Sequence, residues 1–77
     1  MLGGRLMEGN KQQFLTKRER EIFELLIQNK TTKIIANDLF ISEKTVRNHI
    51  SNVIQKLSVT SRTQAIVELI KMDEIKL

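Results

Sequence analysis

Phe40-Ile41-Ser42-Glu43-Lys44-Thr45-Val46-Arg47-Asn48-His49-Ile50-Ser51-Asn52, with Thr32-Lys33-Ile34-Ile35-Ala36-Asn37-Asp38-Leu39 directly before it, is the stretch that decides the fold of this 77-residue chain. It reads as a short helix, a tight apolar turn and a second helix whose outer face is basic and amide-rich. Such a unit carries side chains into a DNA major groove.

Successive helical side chains are rotated by about 100°. Val46, Ile50, Val53 and Leu57 therefore fall in one stripe, which is predicted to seat in a core. The opposite side holds Lys44, Arg47, Asn48, Ser51 and Gln55, all polar and none acidic. A guanidinium can pair with guanine O6 and N7, and a carboxamide with adenine N6 and N7. Arg47 and Asn48 are thus the leading candidates for reading bases, followed by Ser51 and Lys44. Any amphipathic helix has a solvated polar side, so this face alone does not signal DNA. The preceding helix and turn add the specificity: Ala36 is the small residue where two helices cross closely, and Ile35, Leu39, Ile41 and Val46 surround it.

Phosphate contacts are expected from the flanks. Thr31, Thr32 and Lys33 begin the second helix, Thr45 and His49 lie on the edge of the third, and Lys56 stands near its end. Free amides at helix N-termini favour an anion there. Each of these residues is equally well explained as ordinary surface, and His49 as filling space beside the core stripe.

Outward from this unit the pattern stays helical. Four helices are predicted, over about 17-28, 32-39, 43-57 and 62-72, giving an all-α, four-helix bundle-like domain with a helix-turn-helix. Thr16-Lys17-Arg18-Glu19 fits a capping box, with Phe14-Leu15 ahead of it to staple the start. Ile22, Leu25 and Leu26 follow at helical spacing, widened by Phe23 and Ile27. Thr31 or Thr32 caps the second helix, whose Ile34, Ile35 and Leu39 are expected to point inward, and Ser42 caps the third. Ser61-Arg62-Thr63-Gln64 is a second capping box. In the fourth helix Ala65, Leu69 and Met72 form one apolar side, and Ile66, Val67 and Ile70 extend it. So wide an arc serves either a tiny core or a dimer. Residues 1-13 hold all three glycines without an apolar period and read as a flexible N-terminal arm; residues 14-77 form the domain.

Composition narrows the function classes. A formal charge of +4 and a pI near 9.8 favour a polyanion as partner. With no cysteine and a single histidine, neither a disulfide nor a metal site is expected, so a chain this short would gain further stability by self-association. No apolar run reaches the roughly 20 residues of a membrane span, and Met1 to Asn10 is too polar for a secretory signal, so a cytoplasmic protein is expected. No nucleophile with its base, carboxylate dyad or phosphate-binding glycine loop is present. The expectation is no enzyme, no cofactor and no small-molecule ligand.

Leu15-Thr16-Lys17-Arg18-Glu19-Arg20-Glu21, Ile35-Ala36, Ile41-Ser42-Glu43-Lys44-Thr45-Val46-Arg47-Asn48-His49, Lys56-Leu57 and Ser61-Arg62 together resemble the LuxR/GerE-type DNA-binding domain. The likeness covers about residues 14 to 74. Glu24-Leu25-Leu26, Lys30-Thr31-Thr32-Lys33 and Asp38-Leu39-Phe40-Ile41 make it closest to a stand-alone member that governs sporulation genes. The resemblance implies a transcription regulator with the third helix in the major groove and a homodimer formed through the fourth, at Ile66, Val67 and Ile70. It places Arg47, Asn48 and Ser51 toward bases and Thr32, Thr45 and Lys56 toward the backbone. Phe40 departs from the glycine that shorter-turn repressors prefer. RNA polymerase is a further expected partner. The competing expectation is a helical interaction module whose basic face docks an acidic partner, such as a polymerase subunit or a receiver domain.

Overall fold

The computed structural model describes residues 14–77. The arm expected over residues 1–13 lies outside the described residues. Four helices follow in chain order: α1 (Lys17–Leu26), α2 (Thr32–Leu39), α3 (Glu43–Leu57) and α4 (Arg62–Lys71). No strand occurs among the described residues.

Each helix starts on a hydroxyl residue in extended backbone. Thr16, Thr31, Ser42 and Ser61 accept from the amides of Glu19, Ile34, Thr45 and Gln64 at 3.1, 3.2, 3.0 and 3.2 Å, pairing donors that the first turn leaves open. Thr31, not Thr32, is therefore the cap of α2. Glu19 closes the first capping box by accepting from the Thr16 amide at 2.9 Å. The second box does not form. Gln64 instead accepts from the amide and hydroxyl of Thr60, at 2.9 and 2.8 Å. Ser61 has φ −147° where Thr16 has −68°, which turns its own amide away from the Gln64 carboxamide.

The four helices end alike, and without glycine. Asn29, Phe40, Ser58 and Asp73 take left-handed φ values of 67°, 59°, 58° and 66°. The next amide then reaches back five residues, from Lys30 to Leu25, Ile41 to Ala36, Val59 to Ile54 and Glu74 to Leu69, at 3.3, 3.0, 3.2 and 2.9 Å. These reversals trim the predicted helices, stopping α1 at Leu26 rather than Gln28 and α4 at Lys71 rather than Met72.

Leu15, Ile22, Phe23, Leu26, Ile35, Ala36, Val46, Ile50, Val53, Ala65, Leu69 and Ile75 form the core. Helix α3 packs against each of the other three, so it is the central element. Two inward expectations are corrected. Ile34 is 44% exposed, because a short helix turns only one of two adjacent residues inward and Ile35 takes that place. Met72 is 42% exposed because it caps α4 instead of continuing it. Ile75 fills the space: the chain reverses at Asp73, buries Ile75 and brings Glu74 to Arg20. There Arg20 Nη2 lies 3.0 Å from Glu74 Oε1, while Nη1 donates to the Glu74 carbonyl. No helix among the described residues is long and apolar enough to cross a membrane.

Candidate nucleic-acid interface

Helix α3 separates its two sides as the sequence predicts. Val46, Ile50 and Val53 are buried, and Leu57 is half-buried at the end of the same stripe. Lys44, Arg47, Asn48, Ser51 and Gln55 are all exposed. No hydrogen bond or ion pair within the described residues occupies the side chains of Lys44, Arg47, Asn48 or Ser51. Their donors and acceptors face water on a rigid helix, and base edges could replace that water. The fourth helix does not cover this face.

The start of α3 is fixed twice. Ser42 accepts from the Thr45 amide at 3.0 Å and donates its hydroxyl hydrogen to Thr45 Oγ1, also at 3.0 Å. Thr32, at the start of α2, donates to Glu43 Oε2 at 3.3 Å and so links the two helices of the turn. Thr31 and Lys33 are exposed beside it. This places Thr31, Thr32, Lys33 and Thr45 around the N-terminal ends of α2 and α3, where unpaired amides and the helix dipoles favour an anion.

Phe40 makes the turn with its ring almost fully in solvent, at 92% exposure. Its φ of 59° is the geometry for which glycine is favoured, so the departure from glycine changes the residue and not the backbone shape.

The other flank of α3 differs from expectation. Lys56 does not stand free: its Nζ donates to Glu19 Oε1 at 2.6 Å and to the Phe14 carbonyl at 3.1 Å, and lies 5.5 Å from the centre of the Phe14 ring. Glu19 is 4% exposed. Burial by itself would raise its pKa, but the Lys56 hydrogen bond, the Thr16 amide and the charges of Lys56 and His49 outweigh that and hold the carboxyl below its ordinary value. His49, half-buried, borders the same carboxylate. Glu19 was legible as a capping residue only; its second partner lies 37 residues away, beyond any local pattern.

On α4, Ile66 and Ile70 are half-buried and Val67 is 46% exposed. An open cleft lies elsewhere, between α1 and the C-terminal tail, lined in part by Leu15, Arg20, Ile27 and Ile75. None of the predicted DNA-facing residues lines it. Among the described residues no group of acids and histidines is arranged to hold a metal.

A turn-linked helix pair, a bare polar face on the second helix and capped N-termini beside it define a helix-turn-helix DNA-binding domain. Residues 13–69 match the family model of bacterial regulatory proteins of the luxR family, and the chain belongs to that family. It is a sequence-specific DNA-binding transcription regulator and not an enzyme. Among particular relatives, it is 71% identical over 63 residues to the spore germination protein GerE of Bacillus subtilis (strain 168), covering 82% of this chain and 85% of that protein. It is 48% identical to the transcriptional regulatory protein DegU of Brevibacillus brevis, over 80% of this chain but only 26% of that longer protein. A solved structure of the transcription factor GerE superposes with a TM-score of 0.80 at 61% identity, covering 80% of this chain and 92% of that one.

Proposed function

We propose that this regulator binds a two-fold or pseudo-two-fold DNA site as a homodimer, with α3 of each protomer in the major groove of a half-site. Arg47 and Asn48 read base edges, helped by Ser51 and Lys44. Thr31, Thr32, Lys33, Thr45 and His49 hold the flanking phosphates. Ile66, Val67 and Ile70 of α4 form the two-fold contact, which sets the half-sites about one helical turn, roughly 34 Å, apart. The name of the relative from Bacillus subtilis suggests spore-related genes as targets. RNA polymerase is a further partner proposed for it. The absence of a membrane-crossing helix among the described residues agrees with action in the cytoplasm.

The observation that carries this reading is the unengaged row of side chains Lys44, Arg47, Asn48 and Ser51 on the central helix, which packs against each of the other three. Selecting bound sites from a random duplex pool tests specificity, symmetry and spacing together. Palindromic half-sites one turn apart are expected. Recovery of no consensus would overturn base reading, and recovery of single half-sites would overturn the dimer. Val67→Asp, on the exposed side of α4, is expected to keep the helical circular dichroism spectrum of the folded domain and to leave only half-site binding.

A further inference from the structure

Lys56 belongs by position to the phosphate-facing flank of α3 and by geometry to α1. Three contacts hold its ammonium: the Glu19 carboxylate at 2.6 Å, the Phe14 carbonyl at 3.1 Å and the Phe14 ring at 5.5 Å. The carboxylate is itself fixed, because the same Oε1 accepts from the Thr16 amide at 2.9 Å inside the capping box. A buried anion on a rigid helix start therefore lies under the edge of the reading helix, against Lys56 and beside His49. A cation neutralised in this way has little charge left for a phosphate. It releases no counterion from DNA, and only such release makes a contact both strong and sequence-blind.

We propose that Glu19 is a positioning residue for DNA binding: by holding Lys56 against α1 it keeps that ammonium off the phosphate backbone and fixes the far end of α3. This rests on α3 being the groove helix. At its near end α3 is tied to α2 through Thr32 and Glu43, so the reading face is held at both ends by polar contacts. The arrangement caps the sequence-blind share of the affinity at the cations left free on the flanks.

The test measures the slope of log affinity against log salt for the full chain on duplex of random sequence, in a double-mutant cycle. Lys56→Gln is expected to leave the slope unchanged. Glu19→Gln frees Lys56 and is expected to steepen the slope by about 0.9 and to raise random-duplex affinity about eight-fold at 0.1 M salt, the worth of one added phosphate contact. The double variant Glu19→Gln, Lys56→Gln should return to the parent slope, a reversal that a purely structural role of Glu19 would not produce. A slope reduced by about 0.9 in Lys56→Gln would show Lys56 already on a phosphate and overturn the proposal, and so would an unchanged slope in a folded Glu19→Gln. If Glu19→Gln does not fold by circular dichroism, Lys56→Gln alone decides by the same criterion. Arg47→Ala, run alongside on a selected site, separates the levels. Lost discrimination there with no change in Glu19→Gln sinks this proposal only, whereas parental discrimination sinks the groove-helix reading and this proposal with it.

Discussion

The two sides of α3 have opposite chemistry and opposite demands. Val46, Ile50 and Val53 are enclosed by three other helices, while the side chains of Lys44, Arg47, Asn48 and Ser51 make no hydrogen bond or ion pair within the described residues. Folding energy comes from the first side and is indifferent to the identity of the second. The polar side can therefore be set by what it reads, and its residues can change without loss of the fold. Lys56 and His49 lie on the border between the sides, where the Glu19 carboxylate draws charge toward the interior. A count of +4 hides this division, since free and paired cations enter the sum alike.

The strongest way to break the contrast is to attack the enclosed side. Ile50 is 3% exposed, and Ile50→Ala removes three buried carbons with little prospect of collapse among packed helices, at about 2 to 5 kcal/mol. A domain this small has only a few kcal/mol to lose, roughly 0.05 to 0.15 per residue. Thermal melting followed by circular dichroism should show a largely unfolded population at 37 °C, with DNA binding lost on all sequences together.

Arg47→Ala probes the bare side and should do the reverse. Stability should stay within about 0.5 kcal/mol of the parent, as expected for an exposed position. Affinity for the selected site should fall by about 1 to 3 kcal/mol, and base preference at the contacted position should relax. Equal loss on selected and random duplex would remove Arg47 from the reading face.

The border responds to pH. The folded pKa of Glu19 lies below its ordinary value, so its contribution to stability is fully present above the unfolded carboxylate value, about 4.3, and is lost as pH falls through the lower folded value. Glu19→Gln should therefore be less stable than the parent near pH 7, by about 1 to 2 kcal/mol once the partial exposure of Lys56 is discounted, and should melt at a lower temperature. The difference should shrink as both are acidified below about pH 4. A gap that widens in acid would mean that the folded pKa of Glu19 lies above its ordinary value.

The same contrast explains what was legible from sequence. Both sides of α3 follow one local period, and each helix start carries its hydroxyl cap, so elements, core stripe and bare face could all be read. Ile34 was misplaced because two adjacent isoleucines give no sign of which one the interior takes. The second capping box at Gln64 failed because the motif constrains residue types and not the φ of Ser61. The burial of Ile75, and the Arg20 and Glu74 pair, follow a left-handed Asp73 after which no helical period continues. Glu19 with Lys56 was out of reach for another reason: each residue has a sufficient local explanation, as cap and as surface cation, and only the packing of α1 on α3 joins them. The role proposed for α3 in a groove rests on the family resemblance together with the residue types, not on periodicity.

The smallest expected effect concerns the turn between the two readable helices. Phe40 holds φ 59° while its ring is 92% exposed, so it bears the steric cost of a left-handed Cβ without a packing contact large enough to offset it. Glycine removes that cost but adds freedom to the unfolded chain, about 1 kcal/mol in the other direction. With a left-handed penalty of roughly 1 to 2 kcal/mol, Phe40→Gly should stabilise the domain by about 0.5 kcal/mol and raise its melting temperature by a few degrees. The spacing of α2 and α3 should not change, because the Ile41 amide already reaches the Ala36 carbonyl at 3.0 Å in the geometry that glycine would keep. Unchanged discrimination with a higher melting point would show that the turn serves only to join the helices. A loss of DNA affinity in this more stable variant would instead make the bare ring part of the surface that the regulator presents.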